Sequence, residues 1–320
     1  MSRAPTRILF VRDAVSTSPA HFLQRALEDL GVDVCPIYVD RLRRTYQVAS
    51  KLPGARRWFP GYYFAQSLPP LRNWGQFDLV LVMDWIQVPQ SLMDMGNKSA
   101  LWAIDASPRD DPVYDARLRY SRLPSFDFMF GGAPRLEPWM REQFPRSKVA
   151  TLPLAAPRHL YDQFQSERPV PAGFVGSIKS GRRAEFLRLM QSEIDGFFLS
   201  DPSKFFPASD YARTMRSFRV SVNLVFDPSL NNRVFESLAG GCLLVTDWTS
   251  DFTEVIGAEL CREGVFTFRE MRESPELVRR ALERSRVDPD VHRRIHRLAM
   301  GQHTYHQRAE SLLSLVGLPA

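Results

Sequence analysis

Short, fully apolar strand patterns alternate with amphipathic helix patterns along this sequence, and this alternation limits the fold more than any other feature. The first strand pattern is RILFVRD (7–13), which is typical of a strand buried on both faces. The helix that follows has Ser18 as its N-cap, Pro19 as its first residue and Gly31 at its end. The next strand pattern, VDVCPIYV (32–39), completes a β-α-β run, which predicts a right-handed crossover and a parallel sheet.

The alternation is repeated in a second part of the chain, and 320 residues are enough for two domains with separate cores. Residues 148–156 (KVATLPLAA) are expected to lead out of the first domain. The stretch 153–171 is rich in proline and polar residues and is expected to be the interdomain linker. We therefore predict an N-terminal α/β domain over residues 1–155 and a second α/β domain over residues 172–302.

The net charge of +6 comes from one segment rather than from the whole chain. Between Arg41 and Gln76 there are seven basic residues and no acidic residue, so the rest of the chain carries a net charge of about −1. Aromatic residues are interleaved with these basic residues, which suits an anionic membrane surface or a lipid-linked acceptor. The alternative is that the aromatic residues pack in the N-terminal core.

Several protein classes are disfavoured by what the sequence lacks. It has no signal-peptide pattern at its N-terminus, and no apolar run approaches the roughly 20 residues of a membrane-spanning helix. The three cysteines are far apart, which argues against a disulfide framework or a metal site and fits a reducing cytosol. GxGxxG, P-loop and nucleic-acid-binding motifs do not occur. We expect a cytoplasmic protein without a metal, a cofactor or a nucleic-acid partner.

The most informative stretch is NNRVFESLAGG (231–241), a helix pattern that follows a strand and a polar loop. On a helical wheel its apolar residues fall on one side, and Arg233, Glu236 and Gly240 fall on the other. The helix N-terminus and Arg233 would suit a diphosphate, and Glu236 would accept hydrogen bonds from a ribose diol. The alternative is an exposed i,i+3 ion pair between Arg233 and Glu236, and the residues alone do not decide.

A second stretch, GFVGSIKSGRR (173–183), predicts a strand that ends at Val175 and a loop that leads into a helix. Lys179, Arg182 and Arg183 crowd the start of this helix, where cations oppose the helix dipole. Local stability therefore does not explain them, whereas a bound anion would. The alternative is that they are solvated loop charges.

From about residue 77 to residue 313 the sequence resembles the CgeB-like glycosyltransferases, relatives of the group 1 glycosyltransferases with the GT-B fold. The R-x-FE-x-x-A-x-G core is the most specific part. The segments that carry the resemblance, in the family's order, are SALWAIDAS, FDFMFGGAP, KVATLPLAA, GFVGSIKSGRRAEFL, DYARTMRSFRVSVNL, NNRVFESLAGGCLLVTD and HTYHQRAESLL. The resemblance implies two Rossmann-like domains that face each other across a cleft, with a C-terminal helix (about 303–320) packed back on the N-terminal domain. It also implies metal-independent transfer of a hexosyl group from a nucleoside-diphosphate sugar to an unidentified acceptor.

The resemblance further implies donor-binding residues. Glu236 matches the glutamate that holds the donor ribose, and Lys179 with Arg182 or Arg183 matches a basic pair on the donor diphosphate. The remaining members of the predicted donor site are Gly176, Ser177, Asn232, Arg233, Gly240 and Gly241. Ser229 departs from the family, because retaining enzymes of the wider superfamily often carry a second glutamate there. This departure leaves the stereochemical outcome open.

Three aspartates are candidates for the catalytic base: Asp105, Asp13 and Asp84. Each follows a predicted strand of the N-terminal domain, and an inverting enzyme needs a carboxylate to take the proton of the acceptor hydroxyl. We place Asp105 first because it matches the W-x-x-D segment of the family. The alternative for each is that it caps the following helix, and His21 is also expected to cap or pack.

Two other functions compete with a glycosyltransferase. The first is a non-catalytic relative that binds a nucleotide sugar or a partner protein, which Ser229 and the short stretch between Gln191 and Asp210 favour. The second is a nucleic-acid-binding protein. It is disfavoured because the excess basic charge is confined to one segment.

Overall fold

The structure of the chain is a computed structural model, which describes residues 5–38, 76–83, 88, 90–104, 125–178, 181–201, 207–225 and 230–319. The chain divides into two compact units. One consists of Met1–Pro153 with Arg308–Ala320, and the other of Leu154–Gln307.

The first unit is built on a six-stranded parallel sheet with the order β2-β1-β3-β4-β5-β6. Its strands are β1 (Arg7–Arg12), β2 (Asp33–Tyr38), β3 (Leu79–Met83), β4 (Ser99–Ala103), β5 (Phe128–Gly131) and β6 (Lys148–Thr151). Every residue of β3 and β4 is buried, as expected of strands covered on both faces. Residues 148–151 of the segment that was expected to lead out of the domain form β6, the last strand of this sheet, which pairs with β5. As an edge strand β6 is only partly covered, so its sequence lacks a fully apolar run.

The described helices of the first unit include α1 (Pro19–Asp29), α2 (Gln90–Met93) and α3 (Glu137–Gln143). The predicted start and end of α1 are confirmed. The Ser18 hydroxyl accepts a hydrogen bond from the His21 backbone N–H at 3.3 Å. Gly31 follows the helix with a φ of 83°, a conformation that favours glycine.

The second unit contains a five-stranded parallel sheet with the order β11-β10-β9-β7-β8. Its strands are β7 (Val170–Phe174), β8 (Phe198–Leu199), β9 (Phe218–Val222), β10 (Leu243–Asp247) and β11 (Val265–Phe268). The remaining helices are α4 (Arg158–Tyr161), α5 (Gly181–Glu193), α6 (Ala208–Arg216), α7 (Asn232–Ala239), α8 (Phe252–Ile256), α9 (Ala258–Gly264), α10 (Ser274–Val287), α11 (Val291–Gln302) and α12 (Tyr305–Val316). The sequence did not predict α8, α9 or β11, which are short and follow one another closely.

Much of the stretch that we expected to be a linker is an integral part of the second unit. Tyr161 at the end of α4 is fully buried. Arg168 is buried as well, and its guanidinium donates hydrogen bonds to the carbonyl oxygens of Arg216, Phe218 and Gly240. Two of these carbonyls lie at the ends of α6 and α7, so Arg168 satisfies backbone groups that the helices leave unpaired.

Helix α12 begins in the second unit and ends in the first. The backbone N–H of Tyr305 donates to the Ala156 carbonyl at 3.0 Å. At the other end, the Lys98 ammonium donates to the carbonyls of Val316 and Gly317 at 2.5 and 3.2 Å. Within the described ranges, none of the helices is both long enough and apolar enough to span a membrane.

Candidate functional site

The order of the strands in the second sheet indicates where a ligand would bind. Strand β7 lies between β8 and β9, so the chain runs from β7 to β8 on one side and then crosses back past β7 to β9 on the other side. Ligands of open α/β sheets bind beyond the carboxyl ends of the strands at such a switch point. Here Val175 and Gly176 follow β7 and Asn223 follows β9. These residues form the centre of the candidate site.

Arg233, in the first turn of α7, joins the ends of both strands. Its Nε donates to the Val175 carbonyl at 2.8 Å, and its Nη1 donates to Asn223 Oδ1 at 2.9 Å. The guanidinium carbon lies 4.2 Å from the centroid of the Phe174 ring. Asn223 thus fixes the guanidinium laterally, while the aromatic ring supports one of its faces.

Gly176 leaves the space that Arg233 occupies. A Cβ atom at this position would lie 2.1 Å from Arg233 Nη2, and the φ of 138° is itself unfavourable for other residues. The backbone N–H of Gly176 donates to the Ser200 hydroxyl at 3.1 Å. A glycine is therefore required at position 176 for the guanidinium to reach the ends of β7 and β9.

A second guanidinium lies beside the first. Arg183 donates from Nη1 to the Ser177 carbonyl at 2.7 Å, and its guanidinium carbon is 5.8 Å from the centroid of the same Phe174 ring. Burial and the nearby charge of Arg233 lower the pKa of Arg183 to about 10, with Asp247 opposing them. Two cations on one ring repel each other, so this arrangement favours a bound anion.

Arg182 and Asp247 extend the site along the sheet. Arg182 is half-exposed, and its Nη2 lies 3.7 Å from Asp247 Oδ2. Asp247 ends β10, and its Oδ1 accepts a hydrogen bond from the Val225 backbone N–H at 2.6 Å. Burial raises the pKa of Asp247, whereas the Val225 hydrogen bond and the charge of Arg182 lower it.

Glu236 is buried rather than exposed. Only 9% of its surface is accessible, and its Oε2 accepts a hydrogen bond from the Tyr211 hydroxyl at 2.9 Å. Burial raises the pKa of Glu236, while the Tyr211 hydrogen bond and the charge of Arg233 lower it. The alternative of an exposed Arg233–Glu236 ion pair is therefore wrong, because Glu236 is buried and α7 packs against both α6 and α11.

The other residues predicted on α7 lie outside this arrangement. Gly240 and Gly241 are at the far end of the helix from Arg233, where the Gly240 carbonyl accepts from Arg168 Nη2 at 2.7 Å. Gly241 has a φ of 76°, and a Cβ there would lie 2.8 Å from the His292 carbonyl. Their donor-binding role stays a prediction, and close packing gives each glycine a structural reason as well. Asn232 accepts a hydrogen bond from the Tyr305 hydroxyl at 3.0 Å.

Several predicted residues lie outside the described residues: Lys179, Ser229, Asp84, Asp105 and all of the basic segment except Gln76. Asp13 is described, in the first unit. Its Oδ1 accepts from the Val15 backbone N–H at 2.9 Å, so it stabilises its own loop while Ser18 caps α1. His21 Nδ1 lies 3.4 Å from Arg12 Nη2, and burial followed by the charge of Arg12 lowers its pKa.

Three residues of the site were missed: Tyr211, Asn223 and Asp247. Asp247 lies near the end of the strand pattern CLLVTDW (242–248), which is the same signal that drew attention to the aspartates of the first domain, whereas Asn223 lies inside the strand pattern VSVNLVF (220–226), which extends past the observed end of β9 at Val222. Tyr211 carries no comparable signal, because its role depends on the packing of α6 against α7. Within the described ranges, His, Cys, Asp and Glu side chains form no group of three or more that could hold a metal ion.

Solved structures resemble the chain over nearly its whole length. An α,α-trehalose-phosphate synthase (UDP-forming) from Burkholderia vietnamiensis is similar with a TM-score of 0.65 and 11% identity, over 99% of this chain and 98% of that one. A sucrose-phosphate synthase from Thermosynechococcus elongatus is similar with a TM-score of 0.61 and 11% identity, over 97% and 98%. The chain has the GT-B fold. The predicted fold class is therefore confirmed.

A sequence match falls on the part of the GT-B fold that carries the site. Residues 195–314, a little over a third of the chain, match a family model described as "Glycosyl transferase-like". This range includes Tyr211, Asn223, Arg233 and Glu236. A search of the curated proteins finds no significant match.

Proposed function

We propose that this protein is a CgeB-like glycosyltransferase that moves a hexosyl group from a nucleoside-diphosphate sugar to an acceptor without a metal ion. The observation that carries the proposal is the pair of guanidiniums of Arg183 and Arg233 on one Phe174 ring, at the switch point of the second sheet. The buried carboxylate of Glu236 lies on the same helix as Arg233, one turn further along. Cations and a carboxylate in this order match a diphosphate followed by a ribose.

A similar structure supports the class of donor. It is described as "Trehalose-6-phosphate from E. coli bound with UDP-2-fluoro glucose", and it is similar with a TM-score of 0.61 and 10% identity, over 98% of this chain and all of that one. We assign the diphosphate to Arg233, Arg183 and Arg182, together with Lys179, and the ribose diol to Glu236. The backbone of Gly176 and Ser177 is where the diphosphate would approach the chain most closely.

The proposed reaction is a displacement at the anomeric carbon of the donor sugar. The acceptor hydroxyl oxygen forms a bond to this carbon, while the bond from the carbon to the diphosphate oxygen breaks. The nucleoside diphosphate leaves with the electron pair, and Arg183 and Arg233 stabilise its growing negative charge. The proton of the acceptor hydroxyl goes to a carboxylate in an inverting reaction, for which we propose Asp105 first, then Asp84 or Asp13.

For the acceptor we propose a lipid-linked molecule or one held at an anionic membrane surface, on the basis of the basic and aromatic segment between Arg41 and Gln76. Flotation with liposomes tests this proposal. Recovery should require anionic lipid and should fall as salt is added, since surface charges are screened. Equal recovery with neutral liposomes would count against it.

The donor is tested by a thermal-shift screen over nucleotide sugars, followed by an assay for released nucleoside diphosphate in the presence of a chelator. A ligand at 100 times its dissociation constant stabilises the folded state by about 2.7 kcal/mol, which is easily measured. Stabilisation with release supports the transferase. Stabilisation without release in the presence of any acceptor supports a non-catalytic nucleotide-sugar-binding protein, which the serine at position 229 favours.

A further inference from the structure

The Tyr211 hydroxyl lies near both Glu236, to which we assign the ribose, and Arg233, to which we assign the diphosphate. It donates to Glu236 Oε2 at 2.9 Å across the contact between α6 and α7. Tyr211 also lies near Arg233, which lowers the pKa of Tyr211 through its charge and through side-chain hydrogen bonding, against the larger effects of burial and of Glu236, which raise it. One hydroxyl group is thus close to both groups to which we assign the donor.

The carboxylate of Glu236 has one oxygen engaged and one oxygen free. Oε2 accepts from Tyr211, whereas Oε1 makes no hydrogen bond with any described residue. A glutamate side chain has several rotamers, and Arg233 is close enough on the same helix to attract it. With the Tyr211 hydrogen bond in place, Oε2 is engaged and Oε1 has no hydrogen-bond partner among the described residues.

We propose that Tyr211 is a positioning residue, whose hydroxyl holds Glu236 so that Oε1 accepts a hydrogen bond from the ribose of the nucleotide. This inference rests on the proposed function and concerns how the site recognises a nucleoside. Removal of the Tyr211 hydroxyl leaves the hydrogen bonds of Arg233 to the Val175 carbonyl and Asn223 in place, and that of Arg183 to the Ser177 carbonyl. Tyr211 should therefore affect recognition of the ribose and leave recognition of the diphosphate unchanged.

Tyr161 provides a matched control within the same unit. It is fully buried, its hydroxyl has no hydrogen-bond partner among the described residues, and the charge of Glu236 contributes, after burial, to raising its pKa. Tyr161→Phe and Tyr211→Phe each remove one tyrosine hydroxyl near the same carboxylate. Only Tyr211→Phe removes a hydrogen bond.

The experiment is isothermal titration of wild type, Tyr211→Phe and Tyr161→Phe with two probes. One probe is the tightest-binding of uridine, guanosine and adenosine diphosphate, and the other is inorganic pyrophosphate, which has no ribose. We expect Tyr211→Phe to bind the nucleoside diphosphate roughly 10-fold more weakly and pyrophosphate as wild type does. We expect Tyr161→Phe to bind both probes within about 2-fold of wild type. Melting curves establish that the variants are folded.

A double-mutant cycle tests whether Tyr211 acts through Glu236. In the Glu236→Ala background, Tyr211→Phe should cause little further loss of nucleoside diphosphate affinity, because the group that it positions has been removed. Equal losses for both probes, or full additivity with Glu236→Ala, would overturn the inference and indicate a general structural role. If Tyr211→Phe bound the nucleoside diphosphate as tightly as wild type does, the inference would be overturned but the proposed function would stand. Failure of wild type to bind any nucleoside diphosphate would overturn the proposed function and the inference with it.

Discussion

Gly176→Ala is the substitution whose effect the structure defines most sharply. The new Cβ would lie 2.1 Å from Arg233 Nη2 and 3.2 Å from its Cζ, well inside van der Waals contact. The guanidinium must therefore move, and it can do so because it ends a flexible side chain. Its movement breaks the hydrogen bonds to the Val175 carbonyl and to Asn223 and removes it from the Phe174 ring.

Two separate losses follow from this movement. A hydrogen bond to a charged group contributes about 1.5–3 kcal/mol, so loss of the Arg233–phosphate contact should weaken nucleoside diphosphate binding about 10- to 150-fold. The φ of 138° adds a strain of roughly 1–3 kcal/mol for alanine, which lowers the stability of the fold. At roughly 2–4 °C per kcal/mol for a unit of this size, the melting temperature should fall by several degrees.

Substitutions at two other glycines are controls that separate the effect of backbone strain on stability from the effect of Arg233 on ligand binding. Gly196 also has a positive φ, of 69°, and a Cβ there would meet only the Pro171 ring, at 3.3 Å. Gly196→Ala should lower the melting temperature without weakening ligand binding. Gly181 has open space around its Cβ position, so Gly181→Ala at the start of α5 should affect stability little.

Titration of Gly176→Ala, Arg233→Gln and the double variant decides whether Gly176 acts through Arg233. If it does, the double variant should bind no more weakly than Arg233→Gln alone, because the two changes remove one interaction. Additive losses would refute the reasoning, since they would mean that Gly176 contacts the ligand independently. Wild-type affinity in Gly176→Ala would show that the position of Arg233 does not matter for binding.

Three further predictions follow from the site and its surroundings. Glu236→Gln should weaken nucleoside diphosphate binding about 10- to 150-fold by titration, and it should not lower the melting temperature, because Gln can still accept from Tyr211 and carries no buried charge. Arg233→Lys should also weaken binding at least 10-fold, because an ammonium cannot reproduce the planar contacts to Val175 and Asn223 together with a phosphate; equal affinity would argue against a fork-like contact. Burial, followed by the charge of Arg168, lowers the pKa of His292 from 6.5 to about 4, so between these values the unfolded chain binds a proton that the folded chain does not. The free energy of unfolding, measured with urea, should therefore fall by about 2 kcal/mol from pH 7 to pH 5. His292→Asn, which can still donate to the Gly241 carbonyl, should lose this part of the pH dependence, and an unchanged pH dependence would contradict the assignment.

The fold could be predicted well from the sequence because strands buried on both faces have continuous apolar runs. RILFV and LVLVM, for example, mark β1 and β3, and Ser18 with Gly31 marks the limits of α1. Edge elements were predicted poorly for the same physical reason. The residues of edge strand β6 are exposed or only partly buried, and α8 and α9 are too short for a helical period to be recognised.

The candidate site could be predicted only in part, because its composition depends on which strands are neighbours. The sequence order is β7, β8, β9, β10, but the sheet order places β9 directly beside β7. Only this order brings Asn223 to Arg233 and lets Arg182 reach Asp247. A helical wheel likewise places Glu236 on the polar side of α7, but it does not reveal that another helix covers that side.

The separation of opposite charges in the site argues for a ligand more strongly than any single residue does. In the free protein, burial raises the pKa of Glu236 and lowers that of Arg183, so both groups are held where their charged forms are disfavoured. An ion pair between Glu236 and Arg233 would relieve part of this cost, yet among the described residues no such pair forms, because Tyr211 holds one group while Val175 and Asn223 hold the other. A nucleoside diphosphate would relieve both costs together, since it brings negative oxygens to the guanidiniums and hydroxyl donors to the carboxylate. Stability alone would favour a direct ion pair between Glu236 and Arg233. The hydrogen bonds that hold the two side chains apart are therefore better explained by ligand binding.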